Sequence, residues 1–127
     1  GVPQGSTLGP LLFLIYINDL HQCLKYSTPA FADDTCITHS SKKLKTLEVN
    51  LNYDLKQLNE WLITNRLSLN VEKTKLLIFH SRFDKIDQNS IDIKIQNYKL
   101  PLSNSVKYLG IYIDDKLTWN KHIKVVN

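Results

Sequence analysis

The chain reads as an α+β domain, with an antiparallel sheet backed by helices. Three patterns predict that class. Leu44, Leu47, Leu51, Leu55, Leu58 and Leu62 recur every three or four residues, Ile91, Ile93 and Ile95 alternate with polar residues, and two short apolar runs flank the pair Asp33-Asp34. The first spacing is one face of a helix, the second one face of a strand, and the third a hairpin with carboxylates at its turn.

Taken in order, Gly1-Val2-Pro3-Gln4-Gly5-Ser6 is a loop whose glycines and proline shape the backbone and leave room for a ligand. The apolar run that follows predicts a helix over about residues 9–23, with Pro10 compatible with its first turn. Residues 29–39 read as two short strands joined at Asp33-Asp34. The leucine stripe predicts an amphipathic helix over residues 42–64 facing the core, with Trp61 packed at its edge. A dimer seam is the alternative use of that stripe, less common than one helix backing a sheet.

Residues 65–70 read as the turn out of that helix, and residues 74–80, with Leu76, Leu77, Ile78 and Phe79, as a strand with Lys73 at its entrance. Residues 81–90 are polar and predict a loop. The Ile91, Ile93 and Ile95 strand and a second strand over residues 106–113 are expected to form a hairpin-like unit, in which Gly110 marks close backbone approach or a bulge. Asp114-Asp115 reads as a solvated turn leading to a short helix from about residue 118.

A chain of 127 residues supports one domain with a modest core, and 43% hydrophobic with 22% charged content is that of a folded protein. It contains no Met and begins inside a motif, so a fragment of a longer product is expected. The apolar run over residues 8–20 is too short for a membrane span and is interrupted by Asn18 and Asp19, with no basic leader before it. An intracellular protein without a membrane partner is therefore expected.

Charge is uneven. Through Ser41 one lysine faces three acids, a balance of −2, whereas from Lys42 onward fifteen Lys and Arg face nine acids, a balance of +6. The basic part suits a polyanion such as a phosphate backbone. His21, Cys23, Cys36 and His39 fit no common zinc-site spacing, so two free thiols are the expectation.

The chemistry concentrates at Phe31-Ala32-Asp33-Asp34. Two carboxylates held close repel by roughly 4 kcal/mol at an effective dielectric near 20, so an apolar approach to them calls for a cation. Mg²⁺ suits oxygen ligands and is commonly held by one or two carboxylates together with substrate phosphates. An isolated Asp-Asp pair is otherwise an ordinary solvated turn, because Asp caps its own backbone.

In this order, the loop at residues 1–6, Tyr16-Ile17-Asn18-Asp19-Leu20 and Phe31-Ala32-Asp33-Asp34 resemble the reverse transcriptase domain of non-LTR, LINE-type and jockey-like retrotransposons. Trp61-Leu62, Asn65, Leu67, Leu69-Asn70, Lys73-Thr74 and Lys107-Tyr108-Leu109-Gly110 extend the similarity, and Leu117-Thr118-Trp119 with His122-Ile123 resembles the start of the thumb. The resemblance implies a polymerase-type partial palm over residues 1–115 and the start of the thumb over residues 116–127. It implies that Pro3, Gln4, Gly5, Ser6, Phe31 and Ala32 contact template and nucleotide, and that Asp33 binds metal directly with Asp34 in support. Lys73, with Lys75 as the nearby alternative, would act at the leaving pyrophosphate, and Tyr108, Leu109 and Gly110 would grip the primer.

The implied reaction is RNA-directed DNA synthesis by two Mg²⁺ ions about 3.5–4 Å apart, with Mn²⁺ as an alternative. Its partners are an RNA template, a DNA primer and dNTPs, together with an upstream fingers and palm segment that carries a further catalytic Asp and the sugar gate. An endonuclease domain in the full-length protein is also implied. The chain alone is expected to be inactive. A decayed remnant that only binds nucleic acid is the alternative reading, and an unrelated metal-binding α+β domain is a more distant one.

Overall fold

The leucine spacing forms one long helix, and that helix organises the rest of the chain. The computed structural model describes residues 19–26, 28–31, 35–81 and 83–127. A short helix, α1 (Leu20–Cys23), falls at the end of the helix expected over residues 9–23, of which residues 9–18 lie outside the described residues. Strands β1 (Thr28–Phe31) and β2 (Thr35–Thr38) pair antiparallel, with Thr28 opposite Thr38 and Phe31 opposite Thr35. Helix α2 (Leu44–Thr64) follows, then a 3₁₀ turn at Gln88–Ser90. The hairpin β3 (Lys94–Ile95) with β4 (Tyr98–Lys99), the hairpin β5 (Ser105–Tyr108) with β6 (Ile111–Asp114), and α3 (Asn120–Val126) complete the order.

Helices and small antiparallel strand pairs make the chain α+β, as expected. Among the described residues, however, the strands form three two-stranded sheets rather than one. Each strand is two to four residues long and pairs with its immediate neighbour in sequence, where loop closure costs least entropy.

One core runs through the structure. Leu51, Leu55, Leu58 and Trp61 of α2 are buried with Leu20, Leu24, Ile78, Ile91, Ile93, Ile95 and Leu100. Leu47 and Leu62 pack against this cluster, while Leu44, at the first residue of the helix, is exposed. Trp61 belongs to the core rather than to its edge: Asp54, Leu58 and Trp61, at i, i+4 and i+7, are all buried, so neighbours wrap one flank of α2. Helix α2 packs against α1 and against β3.

Ile91, Ile93 and Ile95 are buried while Asp92 and Lys94 are exposed, the alternation expected of a strand with one inward face. Part of that stretch pairs with a side chain instead of a strand. The Asn52 amide donates to the Asp92 carbonyl at 2.7 Å and its oxygen accepts from the Lys94 N–H at 2.9 Å, so α2 supplies a surrogate ladder partner.

Two expected strands are not formed. Residues 74–80 make only a single parallel bridge, Leu76 to Leu102, and on one side of it Pro101, which has no N–H, cannot continue the ladder. Ile78 is buried there and Phe79 exposed. Residues 106–113 are a hairpin rather than one strand, and they pair internally instead of with the isoleucine strand. Leu109 (φ 51°) and Gly110 (φ 80°) both occupy positive φ, as a two-residue type I′ hairpin turn requires. A Cβ on Gly110 would meet nothing within 4 Å, so its positive φ, and not close approach, calls for glycine there.

The last helix begins at Asn120, two residues beyond expectation, because Leu117 (φ 54°) and Trp119 (φ 63°) hold non-helical backbone. No helix among the described residues is long and apolar enough to cross a membrane.

Ile93 is completely buried at the centre of this packing. Ile93→Ala is expected to lower unfolding free energy by about 2–5 kcal/mol, the usual cost of truncating a well-packed core aliphatic. Urea titration of both proteins checks this, with Lys94→Ala, an exposed neighbour, staying within about 0.5 kcal/mol.

Candidate functional site

Pro3, Gln4, Gly5, Ser6, Ala32, Asp33 and Asp34 lie outside the described residues; for Phe31 the backbone is described, as the last residue of β1. What is described is the frame that leads to and from Asp33-Asp34: the Phe31–Thr35 pair on either side of them in sequence, and the base of the same strand pair at Thr28 and Thr38.

That base is tied down from two directions. The Asp54 carboxylate of α2 accepts the Lys25 N–H on Oδ1 and the Tyr26 N–H on Oδ2, each at 2.9 Å. The Tyr26 carbonyl accepts from His39 Nδ1 at 2.7 Å, which joins the chain entering β1 to the chain leaving β2. Tyr26 also makes edge-on ring contacts with His39 and Tyr53, and the Lys25 ammonium sits 5.1 Å from the Tyr26 ring centroid. Cys23 and Cys36 nearby are free and half-buried. Burial pushes both thiols up from their ordinary values, with Asp19 adding to the effect at Cys23.

Lys73 stands in a tight turn. Its backbone N–H donates to the Asn70 carbonyl and to Asn70 Oδ1, both at 3.2 Å, and the Thr74 hydroxyl donates to the same carbonyl at 2.9 Å. The turn fixes the backbone and leaves the Lys73 side chain exposed. Tyr108, Leu109 and Gly110 lie together at the end of β5 and in its turn, with Tyr108 half-buried and the other two exposed. No hydrogen bond or ion pair joins Lys73 to these three.

The β5–β6 hairpin carries its own cluster of positive charge. The Lys107 and Lys121 ammonium groups lie 5.6 Å and 5.4 Å from the Tyr112 ring centroid, within range of cation–π attraction, and Lys121 Nζ donates to Ser105 Oγ at 2.7 Å. Lys107 and Lys121 are both exposed, so the charge faces solvent.

Asp114 and Asp115 are not the solvated turn expected of an acidic pair. Asp114 accepts from the Thr118 N–H at 2.9 Å, the Thr118 hydroxyl at 3.0 Å, the Trp119 N–H at 2.9 Å and the Lys116 N–H at 3.1 Å, satisfying the turn that precedes α3. These bonds, the Thr118 N–H foremost, hold its carboxyl below the ordinary range. Asp115 Oδ2 meets His80 Nε2 at 3.3 Å while His80 Nδ1 faces the Ser81 carbonyl at 2.9 Å. Both ring nitrogens therefore face acceptor oxygens. This pair ties residues 74–80 to the end of β6.

Among the described residues no group of three or more His, Cys, Asp and Glu side chains is placed to hold a metal ion.

The profile of the family described as reverse transcriptase (RNA-dependent DNA polymerase) matches residues 1–113. The chain belongs to the reverse transcriptase family. It is similar to the probable RNA-directed DNA polymerase from transposon X-element of Drosophila melanogaster, at 30% identity over 97% of this chain and 14% of that protein. The RNA-directed DNA polymerase from mobile element jockey of the same species is 28% identical over 97% of the chain and 14% of its own length. That from transposon BS is 31% identical over 98% and 14%. The chain thus spans about 14% of the length of these relatives. No solved structure shows significant similarity to it.

Sequence reasoning missed the residues that hold this reverse transcriptase segment in shape. Asp54 sits among Leu51, Leu55 and Leu58 on the inward flank of α2, and an acid in that position was a readable signal of a buried partner. Asn52 and Asp114 gave no such sign, because their partners are backbone groups set by tertiary placement or by turn geometry.

The Asp114 cap has a definite pH signature. Its folded value lies below its unfolded one, so its stabilisation is complete above about pH 4 and disappears as pH falls through the folded value, lower still. Asp114→Asn is expected to destabilise the protein by a constant amount between neutrality and about pH 5, and the gap from wild type should close below about pH 4. Denaturant titrations at a series of pH values measure that gap.

Proposed function

We propose that residues 1–115 form part of the palm, and residues 116–127 the start of the thumb, of an RNA-directed DNA polymerase of a mobile element. One observation carries the reading. A chain that matches the reverse transcriptase family over residues 1–113 pairs Phe31 with Thr35, so a strand leads into Asp33-Asp34 and another leads away. The substrates of this reading are an RNA template, a DNA primer and dNTPs, handled together with further segments of a longer polymerase.

Asp33 and Asp34 are an all-oxygen donor set, which fits a hard divalent cation, Mg²⁺ or alternatively Mn²⁺. When bound, such an ion supplies charge stabilisation at the transferring phosphoryl group. The chain's own residues do the rest. Pro3, Gln4, Gly5 and Ser6 orient template and nucleotide, Phe31 and Ala32 border them, and the small Ala32 leaves room. Lys73, exposed on a backbone fixed by Asn70, neutralises or protonates the leaving pyrophosphate. Tyr108, Leu109 and Gly110 hold the primer end, with the ammonium groups of Lys107 and Lys121 nearby to meet its phosphates.

Two outcomes test this reading in the longer polymerase that contains the segment. Asp33→Asn should abolish Mg²⁺-dependent primer extension on an RNA template while primer–template affinity stays nearly unchanged, since only a metal ligand is altered. Retained extension would remove Asp33 from the site. Neutralising Lys73, Lys107 and Lys121 together should lower duplex affinity and flatten its salt dependence by up to about three charges' worth of slope, measured between about 50 and 200 mM salt. An unchanged slope would make these lysines ordinary surface charge.

A further inference from the structure

The Asp54 side chain is completely buried on the inward flank of α2, and among the described residues no cation pairs with it. Burying a carboxylate is costly unless hydrogen bonds replace its water. Here both oxygens are used, one by the Lys25 N–H and one by the Tyr26 N–H. Two consecutive amide donors aimed at one side chain need two acceptor oxygens on it, and a carboxylate offers them; asparagine has one, and its NH₂ would face the second N–H. The choice of residue type thus answers a specific backbone shape.

That backbone shape lies just ahead of β1. Tyr26 is held by α2 through its N–H and by His39 through its carbonyl, and the strand pair starts two residues later at Thr28 and Thr38. From Thr28 to Phe31 the strand runs three steps of about 3.3 Å, so a tilt of about 6° at the base moves its far end by about 1 Å. A misplacement of that size at reacting groups can cost about 10²-fold in rate.

We propose that Asp54 is a positioning residue for nucleotidyl transfer: by clamping the Lys25 and Tyr26 amides, it sets the direction in which β1 delivers Asp33 and Asp34. This rests on the polymerase reading above and adds to it a residue that touches neither substrate nor metal. Its consequence is specific. Loosening the clamp impairs turnover and metal use more than it impairs nucleic-acid binding.

The test uses the longer polymerase carrying this segment, with wild type, Asp33→Asn, Asp54→Asn and Asp54→Glu compared for melting temperature, primer–template affinity, kcat and the Mg²⁺ concentration for half-maximal rate. Asp54→Asn is expected to keep affinity within about twofold while kcat falls about 10- to 100-fold and more Mg²⁺ is required. Asp54→Glu, which keeps two acceptor oxygens, should recover part of that loss. The proposal is overturned if wild type extends primers, Asp33→Asn does not, and Asp54→Asn shows wild-type kcat and Mg²⁺ dependence. It is equally overturned if both Asp54 variants fail to fold, since the residue would then serve stability alone. A wild type that extends nothing, or an active Asp33→Asn, overturns the polymerase site assignment itself, and the positioning role falls with it.

Discussion

Burial of one flank of α2 is the constraint on which the rest of the structure depends. Two- to four-residue strands cannot stand alone in water, and each hairpin acquires stability only from what it packs against or is bonded to. Leu51, Leu55, Leu58 and Trp61 provide that surface, with α1 and the isoleucine segment packed against the helix. Full burial of an aliphatic side chain stabilises by about 1.5–3 kcal/mol, so the helix and its isoleucine partners dominate the favourable side of the balance.

Apolar packing is non-directional, and direction comes from polar side chains on the same helix. Asn52 bonds to the backbone on both sides of Ile93 and so fixes which isoleucines point inward. Asp54, on a neighbouring flank, bonds to the backbone that leads into β1. A hydrogen bond adds only about 0.5–1.5 kcal/mol net, yet a buried acceptor left unpaired costs more, so Asp54, fully buried, excludes alternative placements more strongly than it stabilises this one. One helix thereby sets the register of one segment and the entry of another.

The C-terminal quarter relies on a different device. Hairpin β5–β6 and helix α3 contribute no member to the buried cluster, and Leu109, Ile111, Leu117, Trp119 and Ile123 are exposed. Asp114 satisfies the amides of the turn before α3, Asp115 meets His80, and Lys107 and Lys121 flank Tyr112. In a reverse transcriptase segment, a region held by polar bonds and lined with lysines fits the proposed handling of a charged duplex, whose binding is chiefly electrostatic.

The sequence alone determined what is local and periodic: the α2 face and the alternating isoleucines, because burial imposes its period on neighbouring residues, and the short strands on either side of Asp33-Asp34. It also determined the family, whose profile matches residues 1–113. Tertiary structure decided the pairings. Residues 74–80 have a strand's composition, yet they face Pro101 and form a single bridge. Residues 106–113 look like one apolar strand but turn at Leu109-Gly110, where φ becomes positive. Asp114-Asp115 looks like solvated acid until the amides of the turn and His80 close on it. Asp54 finds its donors 28 and 29 residues away. A hydrogen-bond partner that distant is chosen by how elements pack, and no local pattern records it.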